Sequence, residues 1–168
     1  MLRNKQRIVR AKESPTLLVA TDASAWGWGY FAYNTTTGEV RAHGERWSRV
    51  QIANLGDKLA KSTFSEPQGV LNALCHLLKA GGPTRVRIFT DNTVTQASYT
   101  RGFNSHSWHI NDCLRRARDL FGDAFDVDFT YIPGGENPAD AFSRGIPVTE
   151  VQRGYFAGSL RRFAGLGD

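Results

Sequence analysis

The first third of the chain carries three short apolar or aromatic runs separated by turn-rich gaps, and this spacing constrains the fold most. Thr16–Thr21 (T-L-L-V-A-T) is apolar without alternation and reads as a buried strand. Trp28–Tyr33 (W-G-Y-F-A-Y) is aromatic and suits a second strand. Asn34–Gly38 (N-T-T-T-G) makes a turn, with Gly38 free to take positive φ. Val40–Trp47 then returns as a third strand, giving an antiparallel meander.

The rest of the chain changes period. Residues 48–63 read as irregular. Ser65 marks a helix start: it can cap, Gln68 completes a capping box, and Pro67 falls in the first turn. Val70, Leu71, Leu74, Leu77 and Leu78 follow at helical spacing until Gly81-Gly82-Pro83 stops the helix. Arg85–Thr90 reads as a strand. A helix follows from about Thr93 and is broken by Gly102. Residues 107–121 form another, with Ile110, Cys113, Leu114, Ala117, Leu120 and Phe121 on one face. Asp126–Ile132 alternates as a fifth strand, Pro133–Pro138 turns, and Pro138 opens a last helix.

The order β-β-β-α-β-α-α-β-α predicts an α/β fold. Its mixed five-stranded sheet joins the three-strand antiparallel meander to parallel strands and is flanked by helices. The domain is expected over residues 15–145. Residues 1–14 form a basic arm or linker. Residues 146–168 form a basic and aromatic tail (Arg153, Arg161 and Arg162 among Tyr155, Phe156, Leu160 and Phe163) that packs on the domain or on a partner.

The 168 residues suit one domain, and the net charge of +5 fits a polyanionic partner without requiring one. The two cysteines, Cys75 and Cys113, fall among apolar residues and read as reduced core thiols. No run is apolar enough to span a membrane, and Met1–Lys12 has no apolar signal core. The expected location is intracellular, cytoplasm or nucleus, with an organelle leader left open.

Four acids stand at the ends of these elements. Asp22 ends the first strand, Glu66 lies in the first turn of the first long helix, Asp91 ends the fourth strand and Asp140 is in the last helix. The first and fourth strands are expected side by side and parallel, so their C-terminal ends bring Asp22 and Asp91 to one sheet edge. The helix bearing Glu66 can face the same edge. Carboxylates grouped this way repel, so one takes up a proton or a cation binds between them. Hard oxygen donors suit Mg²⁺ or Mn²⁺, and two such ions about 4 Å apart can hydrolyse a phosphodiester. Singly, each acid reads first as a solvated or capping group, and Glu66 as a partner of the helix dipole; the metal-site reading rests on all four occurring in a compatible order.

In this order, T-D-A-S-x-x-G-x-G (from Thr21), S-E-x-x-x-x-x-x-A-L (from Ser65), T-D-N (from Thr90) and N-P-A-D-A-x-S-R (from Asn137) resemble the ribonuclease H superfamily. The phrase Y-I-P-G-G-E-N-P-A-D-A-F-S-R is similar to the ending of ribonuclease H domains in Ty3-like and DIRS-like reverse transcriptases. T-D-N-T-x-x-x-x-x-x-x-x-G resembles the DIRS-like form. The likeness covers about residues 16–145. It implies a ribonuclease H-like fold, with Asp22, Glu66, Asp91 and Asp140 as metal-binding catalytic acids. It also implies two Mg²⁺ ions (Mn²⁺ substituting), endonucleolytic cleavage of the RNA strand of an RNA–DNA hybrid, and a reverse transcriptase polymerase domain in cis or trans. Cellular relatives usually carry a histidine in the loop before the last Asp; residues 133–138 have none, which implies slower turnover.

Around these acids, Ser24, Trp26, Asn92, Thr93, Arg101, Arg115 and Arg116 are candidate nucleic-acid contacts. Each has an ordinary reading beside it: helix capping for Asn92, core packing for Trp26, a solvated face for the arginines. His106 and His109, i and i+3, read as helix-start polarity or a metal pair. Two other classes compete with the hydrolase. One is a non-catalytic nucleic-acid-binding or scaffold module on the same fold; the other is a resolvase- or transposase-like enzyme.

Overall fold

The computed structural model describes residues 16–77, 85–121 and 126–166. The basic arm read over residues 1–14 and the Gly81-Gly82-Pro83 helix stop lie outside them.

The meander forms as its spacing predicts. Strands β1 (Leu17–Ala23), β2 (Gly27–Asn34) and β3 (Val40–Arg46) pair antiparallel in sequence. The Asn34 side chain accepts from the N–H groups of Thr36 and Thr37 at 2.9 and 3.0 Å, and Gly38 closes the turn at φ +75°. Strand β4 (Arg85–Thr90) runs parallel to β1, and β5 (Asp126–Tyr131) parallel to β4. The sheet order is β3-β2-β1-β4-β5. Strand β1 is central, and its Leu18, Val19 and Ala20 are wholly buried, which is why this run lacks alternation.

Residues 48–63 are not irregular. They form helix α1 (Arg49–Leu55) and a 3₁₀ turn (Gly56–Ala60), and helix α2 (Ser62–Leu77) then begins three residues before Ser65. Helix α1 buries no residue, so it leaves no apolar periodicity in the sequence. A capping box between Ser48 and Gln51 and a 3.0 Å bond from Gln51 to Asn72 hold it instead. Ser65 is buried inside α2, where its hydroxyl donates to the Lys61 carbonyl rather than capping. Glu66 and Pro67 therefore lie in the second turn, not the first.

Helices α2, α3 (Thr93–Arg101) and α4 (Trp108–Phe121) cover one sheet face around Val19, Trp28, Tyr30, Val70, Leu74, Ile88, Ile110 and Leu114. Helices α5 (Asp140–Ser143) and α6 (Glu150–Phe163) cover the other, around Leu18, Phe31, Phe89, Ile132, Phe142 and Leu160. The last motif thus yields only one helical turn. The segment beyond residue 145 adds a capped helix that buries Ala157 and Leu160 in the second face's core.

Candidate active site

The parallel pairing of β1 and β4 carries Asp22 and Asp91 to the same edge. Helix α2 crosses that edge at Gly69, where an added Cβ would lie 3.3 Å from the Ala23 Cβ, and this close approach seats Glu66 over the end of β1. Carboxylate oxygens of Asp22, Glu66 and Asp91 all lie within 4.8 Å of one another. Asp22 and Glu66 are buried and Asp91 is partly so. One amide serves two of them: the Ala23 N–H donates to Asp22 Oδ1 at 2.9 Å and to Glu66 Oε1 at 3.1 Å.

Burial, the charge of Asp91 and a hydrogen bond with Asp140 together push the Asp22 carboxyl up to about 7, although its hydrogen bonds with Glu66 and the Ala23 amide pull the other way. Burial, and then Asp22 and Asp91, push Glu66 up to about 11. Asp91 is also raised, by burial and by Asp140, against the hydrogen bond from Asn137. Three acids so close cannot all ionise without a counter-charge. The donor set is hard oxygen throughout, and Glu66 Oε2 is buried with no hydrogen-bond partner. Both facts fit a divalent cation of the Mg²⁺ type held by Asp22, Glu66 and Asp91.

Asp140 stands at the rim. Its side chain is half exposed and pairs with Arg144 Nε at 3.1 Å, yet it lies close enough to raise both Asp22 and Asp91. Two glycines allow this. Side chains at Gly29, opposite Asp22, and at Gly44 would collide with the Phe142 backbone, so α5 lies directly on the sheet.

The other candidates are placed as follows. Ser24 closes the β1–β2 turn: its hydroxyl accepts from the N–H groups of Trp26 and Gly27 and donates to the Ser143 carbonyl at 2.6 Å. The Trp26 ring lies on Gly145, where a Cβ would come within 2.7 Å of it. Asn92 caps α3 by accepting from the Thr95 N–H at 2.8 Å. Thr93 is exposed beside Asp91. Arg101 lies over the Phe103 ring, and Arg115 and Arg116 both pair with Asp112 on their own helix. His106 and His109 do not form a pair site: His106 is exposed, whereas His109 is buried against the Phe64 carbonyl at 3.0 Å.

One residue escaped the sequence reading as a site residue. The buried Asn137 donates from Nδ2 to Asp91 Oδ2 at 3.2 Å and to the Thr21 carbonyl at 2.9 Å, tying the fourth acid's loop to both strands. Its signal in the sequence is the Asn of N-P-A-D, three residues before Asp140.

Sheet order and crossover pattern together are those of the ribonuclease H fold. Solved structures agree. The chain superposes on the N-terminal RNase H domain of rv2228c from Mycobacterium tuberculosis, solved as a fusion with maltose binding protein. The TM-score is 0.60 at 14% identity, over 77% of this chain and 97% of that one. It is likewise similar to LC11-RNase H1, isolated from compost by a metagenomic approach, with a TM-score of 0.54, 13% identity and coverage of 76% and 92%. LC11-RNase H1 in complex with an RNA/DNA hybrid matches at a TM-score of 0.50 and 10% identity, covering 77% and 95%. No protein-family model matches the chain, and no curated protein matches its sequence.

Proposed function

We propose that this chain is an endoribonuclease that cuts the RNA strand of RNA–DNA hybrids with two Mg²⁺ ions, Mn²⁺ substituting. The observation that carries the reading is the meeting of Asp22, Glu66 and Asp91, brought from three separate elements to within 4.8 Å. The hybrid bound by LC11-RNase H1, a protein of the same fold, supports the substrate class.

Bound to these acids, with Asp140 completing the set, divalent ions would supply charge neutralisation at the scissile phosphate and activation of the attacking water. The chain's own groups fix the geometry. The Ala23 amide orients two carboxylates and Asn137 orients the third. Arg144 holds Asp140 at the rim, where its exposure leaves it able to move. Thr93 and Trp26 flank the acids on the RNA side. Arg101, Arg115 and Arg116 reach DNA-strand phosphates, the latter two by exchanging their pairing with Asp112. The ending Y-I-P-G-G-E-N-P-A-D-A-F-S-R supports an origin in a retroelement reverse transcriptase, with the polymerase in cis or trans.

Digestion of labelled RNA–DNA, RNA–RNA and DNA–DNA duplexes, each with and without Mn²⁺, tests the reading. Cutting confined to hybrid RNA and abolished in a folded Asp91→Asn variant is expected. Undiminished cutting by that variant with metal chelated would refute it. Tight hybrid binding without any cleavage in Mn²⁺ would point instead to a binding module.

A further inference from the structure

A concavity that the proposed reaction does not use is joined to the acid cluster through Asn137. It is a groove of about 360 Å³ between the 3₁₀ turn at Gly134–Glu136 and helix α6, lined by Glu136, Asn137, Tyr155, Phe156, Arg162 and Phe163 among others. That volume is in the range of small-ligand sites, about 300–1,000 Å³. Asn137 faces both sites: it lines the groove and donates to Asp91. Phe156 is anchored by an edge contact with the core residue Phe31 at 5.7 Å, whereas Tyr155 and Phe163 are 67% and 39% exposed. Arg162 is drawn along the helix by a 3.1 Å bond to Ser159, which also lines the groove.

Exposed rings, a guanidinium and one carboxylate in a groove of this size match one nucleotide. A base stacks on a ring, a phosphate meets the arginine, and Glu136 accepts from a base N–H or ribose hydroxyl. Helix α6 carries three arginines, Arg153, Arg161 and Arg162, and one acid, Glu150, in its own sequence, a basic balance of the kind that suits a polyanion. Bases inside a hybrid are already stacked on both sides and cannot enter. Asn137 joins the groove to Asp91, so on the hybrid-ribonuclease reading the strand nearest to it is the one being cut.

We propose that this groove holds an unpaired nucleotide of the RNA strand where that strand leaves the hybrid, making the enzyme favour hybrid ends that continue as single-stranded RNA. The proposal rests on the hybrid-ribonuclease reading for its choice of strand.

The test compares one blunt hybrid with the same hybrid extended by a short single-stranded RNA or DNA tail at either end. Binding is measured by fluorescence anisotropy with metal chelated, and cleavage in parallel with Mn²⁺. The full chain should bind one RNA-tailed hybrid about tenfold more tightly than the blunt one, the weight of one stacked base. Tyr155→Ala and Arg162→Gln, both at exposed positions, should lose that gain while binding and cutting the blunt hybrid as before. A blunt hybrid that is cut normally with no gain from any RNA tail overturns the groove proposal alone. An equal gain from a DNA tail overturns the strand assignment. If hybrid is neither preferred nor cut, yet an RNA tail still binds through Tyr155, the ribonuclease reading fails and the groove stands.

Discussion

One amide, that of Ala23, serves two buried carboxyl groups, and their burial sets the proton balance of the metal-free protein. Asp22 and Glu66 both bind protons more tightly folded than unfolded, Asp22 rising from 3.8 to about 7 and Glu66 from 4.5 to about 11. The native state therefore carries more protons than the unfolded one above about pH 4, and stability falls as pH rises through this window. Without metal, the thermal midpoint should drop steadily between about pH 5 and pH 8, and millimolar Mg²⁺ or Mn²⁺ should restore it most at the upper end. A flat metal-free profile would show that the acids do not share a site. Glu66→Gln should flatten the slope and raise the metal-free midpoint, because a buried ionisable oxygen without a partner is replaced by a neutral amide. The same change should lower cleavage by at least about a hundredfold, a stability gain opposed to function. Asn137→Ala acts otherwise. It strips donors from Asp91 and the Thr21 carbonyl, so about 1–3 kcal/mol of stability should go in urea unfolding. Mn²⁺ affinity, read by calorimetry, should weaken by about 10–100-fold.

At the level of elements, what the sequence made legible follows burial. Strand β1 is apolar because neighbours cover it on both sides, β4 is buried at Val86, Ile88 and Phe89, and their parallel pairing follows from the intervening crossover, so the sequence alone places Asp22 and Asp91 together. Helix α1 could not be found: it buries nothing, and its stabilising groups, the Ser48–Gln51 box and the Gln51–Asn72 bond, leave no periodic trace. The start of α2 was misplaced for a related reason. Ser65, Pro67 and Gln68 imitate a helix entry, but the chain is extended at Lys61 (φ −100°, ψ 123°) and the helix starts from there, the Lys61 carbonyl accepting from the Ser65 N–H at 3.0 Å. Asn137 and the glycines of T-D-A-S-x-x-G-x-G were visible as letters, but their contacts depend on elements far apart in the chain. Gly44 shows how strict such a contact is, since a methyl there meets the Phe142 carbonyl. Gly44→Ala should therefore cost about 1–3 kcal/mol in denaturant unfolding, as overpacking does. It should also reduce cleavage by displacing α5 and with it Asp140. Full activity in this variant would show that the seat of α5 on the sheet is irrelevant to the fourth acid.

Across the whole molecule, the sheet is a partition with a separate core on each side, and the two sides depend on different parts of the chain. One core is closed by helices α2, α3 and α4, all within the segment that resembles ribonuclease H. The other has only the single turn of α5 from that segment, too little to cover Leu18, Phe31, Phe89 and Ile132. Helix α6 completes the cover. Leu160 is wholly buried there, Arg161 reaches across to the Tyr33 hydroxyl at 3.0 Å, and Arg153 lies over the Phe142 ring. This arrangement makes residues 150–163 a wall of the domain as well as one side of the groove joined to Asp91 through Asn137. Leu160→Ala opens a cavity among Phe31, Ile132 and Phe142 that packing cannot readily refill, so about 2–5 kcal/mol should be lost. The loss should appear in a single cooperative transition followed by both far-ultraviolet dichroism and tryptophan fluorescence, since α6 shares its core with the sheet. Two resolved transitions, the earlier one confined to helix signal and sensitive to Leu160→Ala, would instead make α6 an appendage, and an RNA-tail preference would then vanish at a lower denaturant concentration than hybrid cleavage.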